Sequence, residues 1–167
     1  SLGGLHSAKI CMVSVDFDEI EKLQHQGNWD ETASILGDAA MSVEAGGADF
    51  LIICTNTMHK VAPDIARKIS IPILHIADAT AHKLLQDEIN CVGLLGTQFT
   101  MEQAFYKGRL SDKYNIDVIV PNTEQRKVIH DVIYSELCLG KIIDSSRDKY
   151  IRIINDLYAK GAQAIIL

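Results

Sequence analysis

The sequence predicts an α/β fold with a mainly parallel sheet covered by helices on both faces. Two observations predict it. Apolar runs of strand length alternate with stretches of helical periodicity along the whole chain. Successive strands of that kind lie parallel, because each return to the sheet passes through a crossover helix. The composition agrees: 47% of the 167 residues are hydrophobic and 23% are charged, as in a packed globular chain and unlike a disordered one. That length suits one ordinary domain or two small ones.

The elements follow in order. Residues 9–15 read as a first strand, with Cys11 inside it as a small buried hydrophobe. Residues 15–20, Val-Asp-Phe-Asp-Glu-Ile, read as an acidic loop. Residues 30–45 form a helix, with Ala33, Leu36, Ala40 and Val43 on one face and Gly46-Gly47 ending it. Residues 49–53 are a buried strand and 61–69 a helix. Residues 71–75 are a short strand, placed at an edge by Pro72, and 79–86 a helix. The pattern then restarts with a strand at 90–95 that ends on Gly96-Thr97 and holds Cys91. A helix at 101–114, a strand at 117–120, helices at 123–137 and 146–159, and a strand at 163–167 complete the chain.

A weak internal repeat divides this order. Gly47-Ala-Asp-Phe-Leu-Ile-Ile53 parallels Gly161-Ala-Gln-Ala-Ile-Ile-Leu167, each after a long amphipathic helix. Read as a duplication, it gives two similar α/β domains, at residues 1–88 and 89–167. Read as chance, it is a common helix-to-strand joint. In the duplicated register the counterpart of the 90–95 strand lies upstream of Ser1. The first copy runs past Ile53 into Cys54, whereas the second stops at Leu167, where its own turn would start.

Charge and cysteine usage narrow the function. The formal net charge is −6, with no basic run and no interleaving of basic and aromatic residues, so nucleic acid is not an expected partner. No apolar run approaches the roughly 20 residues that span a bilayer, and no signal peptide precedes the first strand. The expected setting is cytoplasmic. The four cysteines, Cys11, Cys54, Cys91 and Cys138, contain no C-x-x-C pair and no zinc-ligand spacing, so neither a metal nor a disulfide framework is expected.

Cys54 is the candidate reactive group. It ends an apolar strand and precedes Thr55-Asn-Thr57 and a helical pattern. The carboxyl end of a strand in an open α/β sheet is where ligands bind, and a thiol near a helix N-terminus is poised to ionise. Asn56 and Thr57 supply donors in the same turn, or else cap the helix. Thr97 and Thr100 occupy the equivalent loop of the second half, again as ligand donors or as helix caps. His59 reads either as a polarising group or as a satisfied helix-surface histidine; His75 reads as structural, and His82 and His130 as solvated. Cys138 reads as a core residue of an amphipathic helix.

Three segments together, Cys54-Thr-Asn-Thr-Met-His59, His75-Ile-Ala-Asp-Ala-Thr80, and Gly93-Leu-Leu-Gly-Thr97 with Thr100-Met-Glu, resemble the aspartate/glutamate racemase family. Its broad-specificity amino-acid racemase branch is the nearest in pattern. The resemblance implies two similar domains with the active site in the cleft between them, and no pyridoxal phosphate or metal. It implies a pair of cysteines facing opposite sides of the substrate α-carbon. Racemisation removes a weakly acidic Cα proton and returns one to the other face, so a thiolate and a thiol exchange roles. Cys54 is then one of the pair, with Thr55, Asn56, Thr57, Thr97 and Thr100 as substrate-binding residues. The family's Gly-Gly-Met loop and its second motif, Gly-Cys-Thr-Glu, have no counterpart here. The resemblance therefore implies that these residues match the middle of a longer protein, and that this segment alone is inactive.

The resemblance implies a small amino acid as substrate. Aspartate-specific relatives carry basic residues in the first loop and in the later helical region. Here the first loop is acidic and Cys138 stands where a lysine is expected, so a neutral polar amino acid such as homoserine fits better than aspartate or glutamate. Gln24 is a candidate side-chain contact, or else a solvated helix-end glutamine. A homodimer is compatible with exposed sheet edges. Other readings are a hydantoin racemase, maleate isomerase or arylmalonate decarboxylase, and a non-catalytic amino-acid-binding protein.

Overall fold

A computed structural model describes residues 3–167. Two compact units are distinguishable. One comprises the chain through Ile53 with Val61–Leu74, the other Cys54–Lys60 with His75–Leu167.

The first unit is mostly helical. α1 (Phe17–Gln26) and α2 (Trp29–Ala45) are followed by the short α3 (Ala62–Ala66). The α2 N-terminus is capped by Asn28, whose side-chain oxygen accepts from Glu31 N–H at 3.3 Å. Ala33, Ala40 and Val43 of α2 bury against Leu51, Val61 and Ile65. Glu44 ties this helix to the following segment, its Oε1 accepting from Ser70 N–H at 2.8 Å and Ile71 N–H at 3.2 Å.

Three expectations fail here. Residues 9–15 are not a strand: Ile10 is 80% and Met12 81% exposed, and Cys11 is exposed rather than buried. A strand exists only through its partner's hydrogen bonds, and among the described residues none pairs with this run. The strands expected at 49–53 and 71–75 shrink to one parallel bridge, Leu51 to Ile73. Pro72 contributes its carbonyl to Leu51 N–H but has no donor to extend the ladder. The acidic stretch after Val15 is not a loop but the start of α1, whose cap is Asp16 and whose Ile20 is buried. The signal was present: an Asp cap, acidic residues in the first turn and Gly27 in the left-handed conformation after the last turn.

The second unit carries the sheet. β1 (Cys91–Leu94), β2 (Asp117–Ile119) and β3 (Ala164–Ile166) form a parallel sheet in the order β2-β1-β3. Helices cover both faces. On one, Val92, Leu94 and Ile166 pack against Ala77, Ala81 and Leu84 of α4 (Ile76–Gln86) and Tyr106 and Leu110 of α6 (Ala104–Tyr114). On the other, Leu95 meets Met101 of α5 (Gln98–Glu102), Ile129 of α7 (Thr123–Ser135), and Ile153 and Leu157 of α8 (Asp144–Ala159). Gly93 makes the second face possible, since a Cβ there would lie 2.9 Å from Leu157 Cδ1 and 3.3 Å from Leu157 Cβ. The α/β class with a parallel, doubly covered sheet is as the sequence predicts.

The helix expected at 101–114 is two helices. Gln103 is extended, with φ −88° and ψ 155°, because α5 buries Met101 in one cluster while α6 buries Tyr106 and Leu110 in the other. Cys138 is exposed in a 3₁₀ turn (Leu137–Leu139) rather than inside a helix core, as α7 ends at Ser135 and Gly140 turns the chain. No helix among the described residues is long and apolar enough to cross a membrane.

Leu110→Ala removes a side chain with 0% exposure between β1 and α4. It lowers unfolding free energy by about 2–5 kcal/mol. Leu139→Ala, at a residue 62% exposed, stays within about 0.5 kcal/mol. Urea titrations followed by circular dichroism check both.

Candidate active site

Cys54 is exposed and opens a turn, Cys54 to Asn56, that feeds a 3₁₀ helix (Thr57–Val61). The expected α-helix after the cysteine is only the five residues of α3, and its cap, Val61, offers no side-chain hydrogen bond. Pro63 at the start of α3 explains the delay, since a proline is tolerated only in a first turn. Asn56 and Thr57 therefore do not cap α3.

Thr57 is turned to another use. Its hydroxyl lies 3.0 Å from Thr97 Oγ1 and 3.4 Å from Thr100 Oγ1, and Thr97 and Thr100 are 3.3 Å apart. Thr57 and Thr100 are buried, at 5% and 1% exposure. Thr97 also caps α5 by accepting from Thr100 N–H at 3.3 Å. Capping and clustering thus coexist in one hydroxyl. The turn beyond β1 and the turn beyond Ile53 meet through these three side chains.

Asn56 contributes an unsatisfied group. Its Oδ1 is buried and lacks a hydrogen-bond partner among the described residues. A buried acceptor left unpaired costs about 1–3 kcal/mol, so a ligand donor reaching it would recover that energy. Thr55 is exposed, and its carbonyl accepts from His59 Nδ1–H at 2.8 Å. Gln24 is buried on α1 in the first unit, and is not a solvated helix end.

The histidines differ from expectation. His59 is not on a helix surface but buried at 2% exposure, its Nε2 accepting from Ile76 N–H at 3.2 Å. His75 caps α4, its Nδ1 accepting from Ala77 N–H at 3.2 Å. The two rings sit 4.3 Å apart. Each accepts a hydrogen bond from a backbone N–H, which needs a bare ring nitrogen, so each is neutral. Burial lowers the proton affinity of both; for His75, burial with the His59 ring beside it brings the pKa from 6.5 to about 4. His82 is exposed, as expected. His130 is not simply solvated: it is half-buried, and its Nδ1 accepts from Gln98 N–H at 3.1 Å. These roles escape a sequence pattern because the partners lie on other elements.

Charge near α4 is self-contained. Asp78 accepts from Arg109 Nε at 2.5 Å and Nη2 at 2.8 Å, and from Lys113 Nζ at 3.0 Å. The Arg109 guanidinium holds its carboxyl well below the usual carboxylate range. A shallow groove of about 430 Å³ between α5 and α7 is lined by Gln98, Glu102, Thr123, Lys127 and His130, among others, and does not include Cys54. The cysteine and threonine side chains, not that groove, carry chemistry suited to a small polar ligand.

The Asp/Glu/hydantoin racemase family model matches residues 1–167. This chain belongs to that family. It is 32% identical over 78 residues to the broad specificity amino-acid racemase RacX of Bacillus subtilis, a match covering 47% of this chain and 34% of that protein. The chain therefore spans about a third of the length of that curated relative. Among solved structures, a Yersinia pestis protein assigned as an Asp/Glu racemase is similar at 54% identity and TM-score 0.88, over 98% of this chain and 71% of the other. An aspartate racemase homologue from Pyrococcus horikoshii OT3 is similar at 29% identity and TM-score 0.81, over 99% and 72%.

The histidine pair makes stability pH-dependent. The folded state binds fewer protons than the unfolded chain between pH 6.5 and about 4. Its contribution is therefore complete above pH 6.5 and is lost as pH falls toward 4. The urea midpoint falls between pH 7 and pH 4.5. His75→Asn keeps a capping oxygen but has no proton to gain, so it reduces that fall.

Proposed function

We propose that this protein is an amino-acid racemase that uses no cofactor and in which Cys54 is one of two cysteine acid/base groups at Cα. The observation that carries the reading is the exposed Cys54 thiol, heading a turn whose Thr57 hydroxyl is joined to Thr97 and Thr100. Family membership supports it, as does the likeness to a broad specificity amino-acid racemase.

The chemistry follows from these groups. The Cys54 thiolate accepts the Cα proton and becomes a thiol, leaving a carbanion delocalised into the α-carboxylate. The partner thiol on the opposite face, a cysteine by the family pattern, returns a proton to Cα and becomes the thiolate. The roles reverse for the other enantiomer. A substrate α-carboxylate accepts hydrogen bonds from the threonine hydroxyls, whose two longer mutual contacts, 3.3 and 3.4 Å, are the easiest to exchange. The Asn56 Oδ1 accepts from the α-ammonium. A neutral polar side chain such as that of homoserine suits the chain better than a carboxylate, given that Cys138 stands where aspartate-specific relatives are expected to carry a lysine.

In the whole protein, Cys54→Ser lowers racemisation of the preferred amino acid by roughly 100- to 10,000-fold in both directions. Chiral chromatography measures the rate, and solvent-deuterium incorporation at Cα reports proton exchange. Undiminished activity in Cys54→Ser sinks the assignment. A hydantoin racemase is the second reading, because the family description includes that activity; deuterium exchange on a 5-substituted hydantoin, with none on free amino acids, would favour it.

A further inference from the structure

We propose that His59 is a positioning residue for Cys54: its neutral imidazole ties the cysteine turn to the first turn of α4 through both ring nitrogens. The proposal rests on the reading of Cys54 as the acid/base group. Nδ1–H donates to the Thr55 carbonyl at 2.8 Å, and Nε2 accepts from Ile76 N–H at 3.2 Å. Thr55 directly follows Cys54, so holding its carbonyl restricts the backbone of the cysteine turn. Ile76 N–H belongs to the otherwise unpaired donors of a helix start, and α4 is itself anchored by Ala77 and Ala81, both at 0% exposure. The imidazole is thus a rigid spacer between a packed helix and an exposed reactive turn.

The tie depends on a single protonation state. A second proton on His59 removes the acceptor that Ile76 N–H uses. It also adds a cation beside His75 and beside the Asp78, Arg109 and Lys113 group, which already carries one net positive charge and whose carboxylate is fully engaged. A buried histidine serving only as packing would be replaceable by a side chain of similar volume. A positioning histidine would not.

The experiment compares His59→Leu with His59→Asn in the whole protein, using homoserine and aspartate as probe substrates. His59→Leu lowers kcat at least 30-fold with KM changed less than 3-fold. It also shifts the pH profile of Cys54 alkylation by iodoacetamide, read peptide by peptide, while the Cys11 and Cys138 profiles in the same digest stay put. His59→Asn presents an N–H at the Nδ1 position and recovers most of both losses. A folded His59→Leu with wild-type kcat and wild-type Cys54 alkylation overturns the proposal. Where His59→Leu does not fold, His59→Asn is compared with His59→Gln, which reaches the Nε2 position instead; equal kcat and equal Cys54 alkylation in the two overturn it. The alkylation arm does not need racemase activity. Failure of the Cys54 reading, seen as undiminished activity in Cys54→Ser, is therefore distinguishable from failure of the His59 tie.

Discussion

β1 is hydrogen-bonded on both edges, to β2 through the register Val92 to Val118 and to β3 through Val92 to Ala164. A one-residue slip would turn Val92 and Leu94 out of the layer formed by α4 and α6, and would bring bulk to the place where Gly93 admits Leu157. The backbone of this strand is therefore fixed. Leu95 N–H still reaches the Ile166 carbonyl, at 2.9 Å, and Thr97 stands just beyond. Thr97 inherits its position from the sheet and passes it to Thr57 through a 3.0 Å hydrogen bond. The candidate site is thus an extension of strand pairing, as binding turns at strand carboxyl ends generally are.

Around that extension most buried polar groups are paired. Asp78 is paired with both Arg109 and Lys113, and His59 and His75 each hold a backbone donor. Two exceptions stand out among the described residues, Glu136 Oε2 and Asn56 Oδ1. Glu136 still uses its other oxygen to accept from Ser146 at 2.9 Å. Asn56 is different: its orphaned oxygen sits two residues after an exposed cysteine. An unpaired group of this kind is one a ligand donor could complete, which is why the turn, and not the groove by α7, is the candidate site.

The parts of the fold that were legible are those where local pattern and tertiary demand coincide. α2, α7 and α8 show strong apolar periodicity and appear within a residue or two of expectation. β1 to β3 are apolar runs that find partners. The run at 9–15 is also apolar and finds none among the described residues, so hydrophobicity alone could not separate it from a strand. α1 was hidden because its charged residues masked a buried face of Ile20 and Gln24. In the site, Cys54 and the polar residues after it stood out by type and place. His59 did not, because its partners, Thr55 and Ile76, become neighbours only when the chain folds.

The sequence by itself determined the α/β class and the family, and it singled out Cys54 and the polar residues after it as the candidate site. These follow from residue type and short-range order, which a linear chain displays directly. Only the tertiary structure decided that Thr57 serves Thr97 and Thr100 instead of capping a helix, that Met101 and Tyr106 belong to separate helices, and that His59 is a buried tie. Each of those depends on which groups are left to satisfy one another once water is excluded, and that is settled by packing across elements, not within them.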